Sequence, residues 1–239
     1  VDGVPDNPHP ASIINLSLGY FGECSAAMQS TLDTVRARGI TVVTAIGNGG
    51  YALAQDPYSP ASCEGVLTVA ASDRTGSFSS YNNRGAEIDV LAPGGTAQSG
   101  LLTLDDGGRT SAQGDSIYQP RYGSSMAVPL VSATAAMMVS VQPNITPNAI
   151  ETTIKDTAAN AQLASDCAEY TCSTGLLNSE AAVISSQLAA AFPTPVVSDS
   201  RSDNKIVVGG SGGGALHPVF LGLLLLFRRR RIAEIAKFV

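Results

Sequence analysis

The chain has 239 residues, 44% of them apolar, enough for one sizeable core. Its formal net charge of −6, with no basic run before residue 228, argues against a nucleic-acid-binding surface. Few aromatics and no tryptophan suit a Gly/Ala/Ser-rich α/β domain with tight helix–sheet packing.

In chain order, Ile13-Ile14-Asn15-Leu16-Ser17-Leu18-Gly19 reads as a buried strand ending in a small-residue turn. Residues 25–38 predict an amphipathic helix with Met28, Leu32 and Val35 on one face and Gly39 as its stop. The β-branched run Ile40-Thr41-Val42-Val43-Thr44-Ala45 has the pattern of a strand buried on both faces of a parallel sheet. It ends in Ile46-Gly47-Asn48-Gly49-Gly50, where glycines permit a sharp turn and close approach to a ligand. By itself Asn48 reads first as a turn asparagine. At the carboxyl end of a central strand, however, open α/β sheets bind ligands, and its amide can donate to an oxyanion.

Leu101 to Leu104, an Asp105-Asp106-Gly107-Gly108 turn and the run to Tyr118 suggest a hairpin. Gly123-Ser124-Ser125-Met126-Ala127-Val128-Pro129 opens an apolar helix reaching Val141, expected to be buried throughout. Its start offers unpaired N–H groups and the positive end of a dipole, a setting for a developing oxyanion. Equally, Ser124 or Ser125 could simply cap a core helix. Thr146-Pro147 begins another helix to about Ala158, and Asn178 caps a last one through Ala191.

Three of these segments together resemble the subtilisin-like serine proteases, peptidase family S8. Gly123-Ser124-Ser125-Met126-Ala127-Val128-Pro129 is similar to the family's Gly-Thr-Ser-Met-Ala-x-Pro, which implies Ser125 as nucleophile with Ser124 replacing the threonine. Ala45-Ile46-Gly47-Asn48 is similar to Ala-Ala-Gly-Asn and implies Asn48 as oxyanion donor, with Ala45 and Gly47 lining the substrate. Ser17-Leu18-Gly19 matches Ser-Leu-Gly, whose backbone would pair with an extended substrate as an added strand. Tyr58 to Cys63 followed by Val66 to Ala71 looks like the family's substrate-wall loop and strand. Ile88 to Gly94 looks like its Ala-Pro-Gly segment. The resemblance covers roughly residues 1–190 and implies a three-layer α/β fold around a mostly parallel sheet, with N-terminal strands missing.

The family's triad runs Asp, His, Ser along the chain. Here about a dozen residues precede the Ser-Leu-Gly strand, no Asp-Ser/Thr-Gly motif occurs, and neither His9 nor His217 has the family context. Together with a first residue Val1, this leads us to expect the C-terminal portion of a catalytic domain over residues 1–192, nearly inert alone.

Four cysteines suit disulfides in an oxidising compartment; four buried thiols or a zinc site are the alternatives. Cys24 and Cys63 flank the strand leading to Asn48 and are expected to pair. The family resemblance implies a Cys167–Cys172 pair before Gly175–Asn178. No loop has EF-hand spacing, and Asp105, Asp106 and Asp115 read as solvated turn residues. No metal ligand or cofactor is assigned; structural calcium, common in the family, is left open.

Residues 193–214 read as a flexible linker. Residues 215–231 combine a short apolar segment with Arg228-Arg229-Arg230-Arg231, and 232–239 form a tail. The order of glycines, apolar segment and arginines resembles the GlyGly-CTERM sorting signal of Gram-negative secreted proteins. It implies transient membrane insertion, arginines cytoplasmic, and cutting near the glycines by a rhomboid-type protease. An amphipathic tail packing on the domain is the alternative. The expected function is a secreted or cell-surface serine endopeptidase acting on protein or peptide substrates. Its rivals are a non-catalytic binding module on the same fold and, from the tail alone, a membrane-tethered adhesin.

Overall fold

The computed structural model describes residues 7, 10–106, 108, 110–111, 117–159 and 175–192. All of them fall within the first of two compact units, residues 1–194. His9, Cys167, Cys172, Asp115, His217, the proposed linker and the arginine cluster lie outside the described residues.

Four parallel strands form the central sheet in the order β1 (Ile13–Leu16), β3 (Thr41–Ala45), β5 (Leu67–Ser72), β6 (Val90–Pro93). The β-branched run expected as a central strand is β3, buried at every position. Its side chains alternate between two layers, as a period of two requires. Val43 and Ala45 join Leu67, Val69, Val90 and Ala92 beneath one layer, while Val42, Ala70 and Leu91 face the other. Each fully buried Val or Leu contributes about 1.5–3 kcal/mol.

The first layer is α2 (Ser124–Val141), α3 (Pro147–Thr157) and α4 (Ser179–Ala191). Ala127, Val128, Val131, Ala135 and Met138 of α2 pack on the sheet with Ile150 and Ile154 of α3 and Ala182 of α4. The expected caps are present: Thr146 accepts from Ala149 N–H at 3.2 Å, and Asn178 from Ala181 N–H at 3.0 Å. On the opposite face lies α1 (Ala26–Ala37), capped by Ser25, with Leu32, Met28 and Val35 against Val42 and Val66. Gly39, at φ +80°, ends it in the left-handed region where a side chain is disfavoured.

Two expectations change. β1 is half-exposed because it lies at one edge of the described sheet, paired only with β3. α2 is not buried throughout: Leu130, Ala133, Ala136 and Met137 are exposed on its outer side. A helix apolar all round carries no periodic sign of which face meets the core, so composition alone misleads.

Two short antiparallel pairs complete the fold. β2 (Tyr20–Phe21) pairs with β4 (Tyr58–Ser59), where the Ser59–Pro60 peptide is cis. The expected hairpin is β7 (Leu101–Asp105) with β8 (Ile117–Arg121), registered from Leu101↔Arg121 to Asp105↔Ile117; its connecting turn falls largely outside the described residues. The Cys24–Cys63 disulfide forms as expected.

Where β3 and β5 begin, the two helical layers are clasped. Arg36 of α1 bonds Glu151 and Asn148 of α3 and donates to Gly65 O at 3.0 Å. Its hydrogen bond to Glu151 raises the guanidinium pKa above its ordinary value.

Candidate active site

The loop after β3, the end of β1 and the first turn of α2 meet at the carboxyl end of the sheet. Gly123 precedes α2 at φ +138°, and a Cβ there would stand 3.2 Å from Asn48 Nδ2. Only glycine brings the backbone this close to the asparagine. Gly123 N–H is tied to Gly94 O at 3.0 Å.

Neither serine caps the helix with its own side chain; Gly123 is the N-cap residue and contributes none. Asn48 does it from outside. Its Oδ1 accepts from Ser124 N–H at 2.8 Å and from Ser124 Oγ at 2.9 Å. A backbone N–H can only donate, so the oxygen must face Ser124 and Nδ2 must face away. No described residue accepts from that Nδ2, and Asn48 is exposed. A free amide donor thus stands beside the first turn of α2, where N–H groups lack intrahelical acceptors.

Ser125 is cross-linked to the end of β1. Its Oγ donates to Ser17 O at 3.2 Å, and Ser17 Oγ donates to Ser125 O at 2.9 Å. Asn15 Nδ2 donates to Ser17 Oγ, and Ser132 Oγ, two turns along α2, donates to Asn15 Oδ1, both at 2.9 Å. This polar chain pins the edge strand to the helix. The Ser125 hydroxyl keeps its proton in this arrangement, since a carbonyl is an acceptor but not an effective base. Both histidines of the chain lie outside the described residues.

Beyond Leu16 the chain leaves the sheet, and the backbone groups of Leu18 and Gly19 take no partner among the described residues. Leu18 is 64% exposed. Two glycines flank Tyr58: a Cβ on Gly19 would fall 2.3 Å from its ring, and one on Gly47 would fall 3.1 Å from it. The ring therefore sits between the two segments expected to line a substrate, and its burial raises the phenol pKa. Phe21 stacks edge-on against Tyr58 and Tyr51, with centroids 5.5 and 4.9 Å apart.

Of the expected residues, Ser17 and Ser125 bond each other, Asn48 bonds the first turn of α2, Gly19 and Gly47 flank Tyr58, and Leu18 is exposed. Ala45 is instead 3% exposed within β3, its side chain in the core. Cys24 and Cys63 brace the β2–β4 side. Among the described residues no group of three or more His, Cys, Asp or Glu is arranged to hold a metal ion.

Sequence reasoning missed Asn15, Ser132 and Asn83. Asn15 interrupts an otherwise apolar strand, and Ser132 lies seven residues after Ser125, on the same helix face; either could have been noticed. Asn83, bonded across the Asn48 loop, carried no signal beyond a polar turn.

The profile described as the subtilase family, Peptidase S8, matches residues 2–181. The chain is 41% identical over 184 residues to an extracellular protease of Xanthomonas campestris pv. campestris, covering 77% of this chain and 30% of that protein. It is 37% identical over 145 residues to an extracellular basic protease of Dichelobacter nodosus, covering 61% of this chain and 23% of that protein. Among solved structures it resembles a protease of Pseudoalteromonas arctica, with TM-score 0.69 and 36% identity over 78% of this chain and 54% of that one. The chain thus spans less than a third of the length of these two curated relatives. The family match and the structural likeness agree, and the chain belongs to the subtilase family.

Proposed function

We propose that this chain supplies the nucleophile and the oxyanion donors of a secreted serine endopeptidase that hydrolyses peptide bonds in proteins. One observation carries the reading: the Asn48 carboxamide is fixed by its oxygen on Ser124, with its amide left free at the start of the helix that carries Ser125. Ser125 Oγ attacks the scissile carbonyl as a general base removes its proton. Asn48 Nδ2 and Ser125 N–H then receive the charge that develops on the carbonyl oxygen. The base returns its proton to the departing amine, and water clears the acyl-enzyme by the same steps reversed. Meanwhile Ser17 to Gly19 pair with the substrate backbone as an added strand. Gly47 borders the facing wall, and Ala45 acts only through the backbone that carries the loop.

On this reading the triad histidine and aspartate come from sequence other than the described residues, and the chain alone is nearly inert. In subtilisin, losing the histidine costs about 10⁶ in turnover. The extracellular proteases of X. campestris and D. nodosus support export from a Gram-negative cell and a protein substrate. Residues 215–231 would serve as a sorting signal, inserted transiently in the membrane, with a rhomboid-type protease cutting near the preceding glycines. A fluorophosphonate probe on the full-length protein should label Ser125 and no other residue. Absence of labelling would favour a non-catalytic binding module on the same fold.

A further inference from the structure

We infer that Asn83 is the positioning residue for the oxyanion donor, its buried carboxamide holding the loop that carries Asn48 where β3 leaves the sheet. The inference rests on the reading of Asn48 just given. β3 and β5 stay paired only as far as Ala45↔Val69, whereas β5 continues beside β6 to Ser72↔Pro93. Ile46 N–H still donates to Val69 O at 3.0 Å, but past that bond the β3 side of β5 has no strand, and the chain from Gly47 to Tyr51 has left its ladder. Backbone groups stranded at such a split must find other partners or lose about 1–3 kcal/mol each.

Two adjacent asparagines fill the split. Asn82 serves the β5 side: its Nδ2 donates to Ala71 O at 2.7 Å and its Oδ1 accepts from Ala71 N–H at 3.0 Å. Asn83 serves the departing loop. Its Nδ2 donates to Ile46 O at 3.0 Å, and its Oδ1 accepts from Gly49 N–H at 3.0 Å and Tyr51 N–H at 3.2 Å. Its own N–H donates to Gly47 O at 3.1 Å. These bonds grip the chain on both sides of residue 48 while leaving residue 48 itself free to reach Ser124.

Only a carboxamide fits this duty. The site needs a donor toward a carbonyl and an acceptor toward two N–H groups within one planar side chain, at 0% exposure. The loop is also seated directly on it. A Cβ on Gly47, which has φ +95°, would lie 2.4 Å from Asn83 Nδ2. Asn83 touches no substrate; it acts through the aim of Asn48 Nδ2. Because that donor is used mainly when charge develops on the carbonyl oxygen, loosening it should lower kcat with little change in KM.

A double-mutant cycle on the full-length enzyme tests this, with kcat normalised to the sites titrated by a fluorophosphonate. Asn83→Ala should lower kcat by about 10- to 100-fold, the scale of a small misplacement of a reacting group, at nearly unchanged KM. In an Asn48→Ala background the same substitution should lower kcat little further, because the group it aims is gone. An unchanged kcat, a loss that persists undiminished in that background, or an effect confined to KM or thermal stability would each overturn the inference. If Asn48→Ala alone leaves kcat unchanged, the oxyanion reading fails first and takes this one with it. Should Asn83→Ala yield no titratable enzyme, Asn83→Asp enters the same cycle with the same expectation. It keeps the size and the acceptor oxygen but loses the donor toward Ile46 O. Failure of both variants to yield titratable enzyme would make Asn83 a folding residue and refute its role in aiming Asn48.

Discussion

Where β3, β5 and β6 begin, charged groups from different elements neutralise one another: Arg36 of α1 with Glu151 of α3, and Lys155 of α3 with Asp89 just before β6, whose other oxygen accepts from Thr68 N–H. Where the sheet ends, no ion pair forms among the described residues around Asn48, and the Asn48 amide and the Leu18 and Gly19 backbone have no partner among them. One end of the sheet spends its polar groups on cohesion. The other keeps donors in reserve, the Asn48 amide being held by its own oxygen on Ser124. A preorganised donor without a partner costs stability locally but needs no rearrangement when charge appears in front of it. Substitutions at the two ends should therefore differ in their main effect, one set acting chiefly on turnover and the other on stability.

The largest effect belongs to the end where Asn48 and Ser125 lie. Ser125→Ala in the full-length enzyme should lower kcat by about 10⁶, the size known from subtilisin, with only the small stability loss of its one bond to Ser17 O. Residual activity above about 1% of the parent would mean that another residue is the nucleophile. Asn48→Ala comes next, at about 10²–10³ in kcat, a figure again taken from subtilisin. It also removes the acceptor for Ser124 N–H, so a modest stability loss should accompany it; a change in KM alone would contradict the donor role.

At the other end, Arg36→Ala should cost about 2 kcal/mol of unfolding free energy, since it removes several hydrogen bonds to a charged group. Denaturant titration would measure it, and kcat per titrated site should stay at the parent value. A fall in kcat would show that the two ends are coupled through α2 or β3.

The smallest effect concerns Asp89. Burial raises its carboxyl pKa, against the opposing pull of Thr68 N–H and Lys155. An acid with a raised folded pKa binds its proton more tightly in the folded state. Its contribution to stability is thus full below the ordinary value of 3.8 and is lost as pH rises through the folded value. Asp89→Asn should flatten the fall in melting temperature across that window. A parallel pair of curves would show that Asp89 does not titrate differently on folding.

Much of this was legible because it is written locally. β3 announces itself by β-branched residues, α1 and α3 by their caps, and the turns that carry Asn48 and Ser125 by their glycines. The rest depends on residues far apart in sequence meeting in space. Nothing in Ser79-Ser80-Tyr81-Asn82-Asn83 distinguishes a solvated turn from a plug in a split sheet, because the distinction lies in Ala71, Ile46 and Gly49. The tie between Asn15 and Ser132 spans 117 residues and follows no period. The half-exposed face of α2 was hidden for the opposite reason: an unbroken apolar sequence satisfies either environment. Ala45 was expected at the substrate on the strength of its motif, yet strand alternation turns its side chain into the core.

A crystal structure of the full-length enzyme with a peptidyl boronic acid would place the reacting groups in one frame. Boron should be bonded to Ser125 Oγ, with one boronate oxygen about 2.7–3.1 Å from both Asn48 Nδ2 and Ser125 N–H. An adduct on another side chain, or a boronate oxygen turned away from Asn48, would show that these two residues do not form a common catalytic centre.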